Sequence, residues 1–172
     1  MRSLVTPRGL CWWKVLLAGT VTLFLALIGC RSGNKGGLPT AGPILIGAIA
    51  PLTGDGADYG RWAQRGVTLA LEEANPPAGP GRFKVIWEDS QLDPNKAVSG
   101  YLKLVDGNHV PIVLGALTSG ETIPTLAQAN AKKVPLLSPT ATSDRLVDAG
   151  EFFFRVCPTN VVQADSAARF AI

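Results

Sequence analysis

The sequence is poor in the residues that carry most metal and redox chemistry. It has one histidine and three cysteines among 172 residues. The histidine, His109, lies in the turn-like stretch DGNH. No group of histidines, cysteines and acids has the spacing of a zinc site. We therefore predict no metal site, and no catalytic residue among these side chains.

The sequence also lacks the motifs of common nucleotide-using and hydrolytic enzymes. No G-x-G-x-x-G follows a predicted strand, and G-x-x-x-x-G-K-[ST] does not occur. Ser119 lies in ALTSG, which is not the G-x-S-x-G of a nucleophile elbow. We therefore expect a protein that is not an enzyme and uses no cofactor. Two alternatives remain at this point: an α/β enzyme domain, and a purely structural surface lipoprotein without a pocket.

Acidic residues are missing from the start of the chain. Arg2, Arg8 and Lys14 precede Cys30, and no acid does. Removing these three from the 16 basic residues leaves 13, which balance the 13 acidic residues. The remainder is neutral and has no lysine or arginine cluster, so nucleic acid is not an expected partner.

The basic start leads into an uncharged run, VLLAGTVTLFLALI at 15–28, and then into Gly29 and Cys30. This order is typical of a secretory signal, and the run is short of the ~20 residues that a membrane span needs. The stretch LIGC resembles a lipobox, the processing site of bacterial lipoproteins. It implies a lipoprotein signal peptide at 1–29 and a lipidated Cys30 that anchors the exported protein to a membrane, in the periplasm or at the outer cell surface. The alternatives are a plain signal peptide with an ordinary cysteine, and an uncleaved anchor.

Residues 30–42 are rich in glycine and polar residues and are predicted to form a flexible tether. Strands and helices then alternate. The predicted strands are 44–50, 83–87, 112–117, 134–137 and 152–156. The predicted helices are 59–75, 93–107, 121–133 and 160–172. This alternation predicts an α/β fold: a parallel β-sheet flanked by helices, in three α/β/α layers.

Hydroxyl side chains follow two consecutive predicted strands. Thr118 and Ser119 come directly after the third, at the sheet edge where α/β proteins bind ligands. The first backbone N–H groups of the next helix have no partners within it. These donors, the helix dipole and both hydroxyls are expected to face one anion, and a carboxylate fits. The alternative is that Ser119 is only the N-cap of that helix.

The stretch SPTAT, residues 138–142, follows the fourth strand. Pro139 bends the chain and leaves nearby carbonyls outside a regular ladder. One of Thr140 and Thr142 is expected to offer its hydroxyl to a ligand, and the main chain a carbonyl to an ammonium group. A proline turn with solvated threonines is the alternative.

An ordered set of short motifs resembles the substrate-binding proteins of branched-chain amino acid ABC transporters, which have the type I periplasmic binding fold. The motifs are IGA at 46–48, PLTG at 51–54, YG at 59–60, EDS at 88–90, DP at 93–94, TS at 118–119, SPTAT at 138–142 and FR at 154–155. The resemblance covers residues 44–172. Members of this family have two lobes, so it assigns 43–158 to the first lobe. Residues 159–172 would begin the crossover helix into a missing second lobe, and we expect the chain to be a truncated product or a fragment.

The resemblance also implies a pocket and a function. Ser119 would bind the ligand carboxylate through its hydroxyl and backbone N–H, and Thr142 would bind it too or help to hold the ammonium. Thr140 would offer its carbonyl to the ammonium. The other lining residues would be Tyr59, Leu117 and Thr118. The implied function is capture of a small amino acid or amide for the permease subunits of an ABC transporter, and the alternative is a ligand-sensing domain of a membrane receptor.

Overall fold

The computed structural model describes residues 42–75 and 81–171. The signal peptide, Cys30 and most of the tether therefore lie outside the described residues. No helix in the described part is long and apolar enough to span a lipid bilayer.

Five parallel strands form one sheet in the order β2-β1-β3-β4-β5, which confirms the predicted parallel sheet. The strands are β1 (Ile44–Ala50), β2 (Phe83–Asp89), β3 (Val113–Leu114), β4 (Leu136–Ser138) and β5 (Phe153–Arg155). Strand order reverses between β1 and β3. A crevice at the carboxyl ends of the strands is expected beside this switch point.

In the described ranges, four α-helices connect or follow the strands. They are α1 (Ala57–Ala74), α2 (Pro94–Leu102), α3 (Ser119–Lys132) and α4 (Asn160–Phe170). A π-helical turn, Lys103–Gly107, continues α2, and a 3₁₀ turn, Asp144–Leu146, follows β4. The start of α2 shows how local sequence sets these bounds, because the Asp93 side chain accepts from the amides of Asn95 and Lys96, and Pro94 occupies the first turn.

Helices cover both faces of the sheet, as predicted. On one face, Ile49, Val113 and Leu136 are buried in a core with side chains of α2 and α3. The members from the helices include Ala97, Tyr101 and Ala129. On the other face, Leu114 and Leu137 line a cavity of about 140 Å³ together with Ala63 and Val67 of α1. Neighbouring strand residues point to opposite faces, and this alternation separates the two layers.

The third strand is shorter than the predicted range 112–117. It ends at Leu114 because Gly115 adopts a φ of +103°, and a β-carbon there would lie 2.2 Å from the carbonyl oxygen of Ile49. Only glycine accommodates both the positive φ and this close approach. The chain therefore leaves the sheet early, and the segment from Ala116 to Thr118 forms a loop at the sheet edge.

Candidate ligand-binding site

A cleft of about 500 Å³ lies at the carboxyl ends of β3 and β4, and we call it the strand-end cleft. Its volume falls within the ~300–1,000 Å³ typical of small-molecule sites. All six residues proposed from the sequence line it: Tyr59, Leu117, Thr118, Ser119, Thr140 and Thr142. The structure thus brings together side chains from α1 and from the loops that follow β3 and β4.

Ser119 occupies the first position of α3 and is half-buried. Its Oγ accepts a hydrogen bond from the amide of Ser143 at 3.1 Å. The hydroxyl proton therefore remains to be donated. Among the described residues the backbone N–H of Ser119 finds no acceptor, as expected at the start of a helix. One residue thus supplies two hydrogen-bond donors at the positive end of a helix dipole.

Thr118, rather than Ser119, is the N-cap of α3. Its Oγ1 accepts from the Glu121 amide at 3.4 Å and donates to Glu121 Oε2 at 2.5 Å. The Thr118 amide donates to the same carboxylate oxygen at 3.3 Å, which completes a capping box. The expectation that both hydroxyls face one anion therefore fails for Thr118, because its proton is directed to Glu121. The alternative that Ser119 is only an N-cap is also wrong.

Glu121 is a buried carboxylate that sequence reasoning did not single out. It is 0% exposed, and its Oε1 has no hydrogen-bond partner among the described residues. The helix dipole partly compensates a negative charge at this position. The spacing in TSGE, a threonine three residues before a glutamate, is a capping-box signature and is the signal that could have revealed it.

The loop after β4 is held in place by hydrogen bonds on both sides. The Thr140 hydroxyl donates to the carbonyl of Leu117, which ties this loop to the one that follows β3. The Thr142 carbonyl accepts from the Asn160 amide at 2.9 Å. The Thr142 hydroxyl has no partner within the described part of the chain, so it is available to a ligand in the strand-end cleft.

Arg155 on β5 also holds the loop that follows β4 in place. Its guanidinium donates to the carbonyl of Ser143 at 2.9 Å and to that of Ala141 at 3.4 Å. Because the Ser143 amide in turn donates to Ser119, a continuous hydrogen-bonded path runs from β5 to the start of α3. In the sequence, Arg155 was notable only as part of the FR motif at 154–155. Its contacts depend on strands that are distant along the chain.

Asp89 at the end of β2 organises the loop between β1 and α1. Its Oδ1 accepts from the Leu52 amide at 2.7 Å, and its Oδ2 accepts from the Thr53 hydroxyl at 2.5 Å. Burial acts to raise the pKa of Asp89. Hydrogen bonds from the Thr53 hydroxyl and from the amides of Leu52, Gln91 and Thr53 outweigh burial and lower the pKa to about 2. The carboxylate is therefore ionised at neutral pH and holds the segment that leads to Tyr59.

Three further residues line the strand-end cleft and were not proposed from the sequence: Trp62, Ala63 and Pro139. Trp62 packs edge-to-face against Tyr59, with ring centroids 5.6 Å apart and an interplanar angle of 70°. The signal in the sequence was a pair of aromatic residues three apart on a predicted helix, which places them on one face. Among the described residues no charged side chain lines the cleft, so the polar groups found there are neutral hydroxyls, the Trp62 indole N–H and backbone groups.

The sequence of this chain is similar to those of known proteins. Residues 43–172 match the family model described as periplasmic binding protein. The chain is 36% identical over 132 residues to the Leu/Ile/Val-binding protein BraC3 of Rhizobium johnstonii, an alignment that covers 75% of this chain and 36% of that protein. It is 32% identical over 140 residues to the chemotactic signal transduction system substrate-binding protein BasB of Halobacterium salinarum, covering 74% of this chain and 33% of that protein.

A solved structure is similar in fold and in sequence. It is the branched-chain amino acid transporter substrate binding protein LivJ of Streptococcus pneumoniae in complex with isoleucine, with a TM-score of 0.63 and 33% identity. The match covers 68% of this chain and 34% of that one. The chain spans about a third of the length of the curated relatives it matches.

Proposed function

The chain belongs to the periplasmic binding protein family, and on this basis we propose that it is the first lobe of an exported solute-binding protein of an ABC transporter. In this proposal residues 43–158 form the lobe and residues 159–172 lead into a second one. The ligand is a branched-chain or related small amino acid, or an amide. The protein delivers it to permease subunits in the membrane, outside the cytoplasm, and lipidated Cys30 is the anchor.

The two donors of Ser119 carry the proposal. A free hydroxyl proton and a free backbone N–H at a helix N-terminus suit a carboxylate without any basic side chain, and the strand-end cleft has none. Thr142 adds a third free donor. The Thr140 carbonyl is proposed as the acceptor for the ammonium group. Leu117 and Tyr59 are proposed to contact the apolar part of the ligand, and Thr118 is proposed to position the start of α3.

The observed hydrogen bonds orient the hydroxyl of Ser119, whereas the hydroxyl of Thr142 has no partner among the described residues. The Ser119 hydroxyl is oriented by the amide of Ser143, which lies one residue beyond Thr142. The Arg155 guanidinium holds the carbonyl of that same serine. A preorganised donor loses less conformational entropy when a ligand binds. This argues that Ser119 is the main anchor of the carboxylate and that Thr142 assists it.

A sensing role is a second candidate, because one relative is described as a substrate-binding protein of a chemotactic signal transduction system. The same pocket chemistry serves both roles, and the difference lies in the membrane partner. Pull-down of the lipid-anchored protein from solubilised membranes distinguishes them: permease subunits support transport, and a transducer-type receptor supports sensing.

Calorimetry on the protein tests the proposed binding site. The ligands are leucine, isoleucine and valine, and the variants are Ser119→Ala and Thr142→Ala. A hydrogen bond to a charged group contributes ~1.5–3 kcal/mol, so Ser119→Ala is expected to weaken binding by about tenfold or more. Thr142→Ala should weaken it less.

Thr68→Ala is the matched control for these variants. Its hydroxyl is exposed on α1 and donates to the Gln64 carbonyl, outside the strand-end cleft. Its affinities should equal those of the unmodified protein. Unchanged binding in both Ser119→Ala and Thr142→Ala would defeat the site assignment.

A further inference from the structure

Two aromatic side chains face solvent where an ordinary surface helix carries polar ones. Tyr59 and Trp62 are 59% and 61% exposed, although they are among the largest apolar side chains of the chain. They contact each other edge-to-face and both line the strand-end cleft. An edge-to-face pair covers only part of each ring, so ring surface remains open to an occupant of the cleft.

We propose that Trp62 is a specificity-determining residue that contacts the side chain of the bound amino acid and favours a planar ring there over a saturated ring of the same size. This proposal rests on the proposed function, because it concerns the body of the same ligand whose carboxylate contacts Ser119. It assigns a role in ligand selection to Trp62, which is not among the residues proposed to bind the carboxylate or the ammonium group.

The lining groups of the strand-end cleft come from different elements. The donors of Ser119 and Thr142 come from the loop–helix junction after β3 and from the loop after β4, whereas the two aromatic rings, with the Tyr59 hydroxyl and the Trp62 indole N–H, come from α1. The remaining lining residues Ala63, Leu117 and Pro139 are small or apolar and offer no side-chain hydrogen bond. A ligand held by its carboxylate at Ser119 therefore places the rest of its structure against apolar surface.

The geometry of aromatic contacts makes the Tyr59–Trp62 pair selective for planar rings, beyond general hydrophobic attraction. Aromatic rings attract one another through their quadrupoles in offset or edge-to-face arrangements, beyond the burial of apolar area. A saturated ring of the same size lacks this attraction but buries at least as much apolar surface. Simple hydrophobic contact thus favours the saturated ring, and contact with Tyr59 and Trp62 favours the planar one.

Two amino acids with the same head group separate these effects. We would measure the Kd of L-phenylalanine and L-cyclohexylalanine by calorimetry, with L-leucine as the aliphatic reference. Aromatic contacts predict phenylalanine binding about two- to tenfold tighter than cyclohexylalanine. In Trp62→Leu this ratio should fall clearly toward one, with Tyr59 left as the remaining aromatic contact, and Trp62→Phe should restore most of it.

Leu69→Ala is the control, since Leu69 is a similarly exposed residue on the same helix, 59% exposed and outside the strand-end cleft. It should leave the ratio unchanged. Ser119→Ala should weaken both analogues equally and also leave the ratio unchanged.

The outcomes separate this inference from the function on which it rests. If leucine binding depends on Ser119 but the two analogues bind equally, the inference is overturned and the proposed function stands. If Trp62→Leu weakens the binding of all three amino acids by the same factor, Trp62 contributes only unselective apolar contact and the inference again fails. If none of the three binds at all, both proposals fall.

Discussion

Asp89 shows how one carboxylate outside the strand-end cleft can determine the cleft's shape. It accepts hydrogen bonds from Leu52, Thr53 and Gln91, and these contacts join the end of β2 to the loop after β1. Because that loop runs directly into α1, it determines the positions of Tyr59 and Trp62. The bonds are made to the ionised form, which is why the pKa of Asp89 is lowered.

The stability that Asp89 contributes should depend on pH with a defined sign. Its pKa is lowered from 3.8 to about 2 in the folded protein. Its contribution is therefore fully present above pH 4 and is lost as the pH falls from about 4 to about 2. At neutral pH, Asp89→Asn should lower the free energy of unfolding by about 1–2 kcal/mol. Urea unfolding at several pH values measures both effects.

Asp55→Asn is the control for this experiment, because Asp55 is exposed in the same loop. It should unfold like the unmodified chain at every pH. An Asp89→Asn variant whose stability falls as steeply below pH 4 as that of the unmodified chain would contradict the role assigned to this carboxylate.

Individual site residues could be predicted only where local sequence carried the signal. Ser119 and Thr142 follow apolar runs, and this position was enough to place them at the sheet edge. Glu121 carried a local signal too, the capping-box spacing, which went unused. Arg155 and Trp62 could not be assigned roles, because their contacts depend on which strands and helices become neighbours in the fold. The expectation that the Thr118 hydroxyl faces an anion is wrong, because a hydroxyl has one proton and the capping box uses it.

The helices differ in what stabilises them. Residues of α2 and α3 are buried in the core, including Tyr101, whose hydroxyl donates to the Val134 carbonyl at 2.7 Å. No residue of α4 is buried. It is held at its start, where the Asn160 amide donates to Thr142 and the Val161 amide to Asp144 at 3.2 Å. Without tertiary packing, a helix of 11 residues is marginal in water.

Hydrogen exchange should therefore distinguish α4 from the other helices. In this chain, amides of α4 are expected to exchange at rates close to those of an unprotected peptide, because opening the helix breaks few contacts. Amides of α2 and α3 should be protected by several orders of magnitude, because their opening exposes the core. Mass-spectrometric exchange at neutral pH measures both. Protection of α4 equal to that of α3 would show that packing absent from this structure stabilises it.

Element types were easier to predict than element ends. The apolar run of β1 predicted its bounds correctly, since both faces of a central parallel strand are covered. The run at 112–117 predicted too long a strand. Apolar composition does not report backbone conformation, and Gly115 turns the chain out of the sheet. The helix predicted from residue 121 begins at Ser119 because Thr118 caps it.

The two faces of the sheet are covered to different extents. The core side is closed by α2 and α3. In the described part of the chain α1 is the helix that packs on the other face, and it leaves the small cavity lined by Trp87, Leu114 and Val156. Val156, which lines that cavity, is 73% exposed, and Phe154, two residues before it, is 52% exposed. Contiguous exposed apolar surface of this kind marks an interaction surface or favours aggregation. The sequence could not reveal this imbalance, because apolar strand residues look the same whether or not a helix covers them.

The exposed apolar surface formed by Phe154 and Val156 predicts a measurable property of this chain. Expressed from residue 43 onward, it should bind the dye ANS at neutral pH with strong fluorescence, because the dye reports accessible apolar surface. Replacing Phe154 and Val156 by serine should reduce the fluorescence by about half or more, since these two residues contribute much of that exposed surface. The far-UV circular dichroism should be unchanged, because both side chains lie outside the buried core.

Leu69→Ser serves as the comparison, since Leu69 is as exposed as Phe154 but lies on α1, outside this cavity. A scattered exposed leucine is ordinary on a protein surface and should contribute little to dye binding. If Leu69→Ser lowers the fluorescence as much as the double variant, the dye is responding to apolar surface in general. If the unmodified chain leaves the dye dark, this apolar surface is not accessible in solution, and the prediction is wrong.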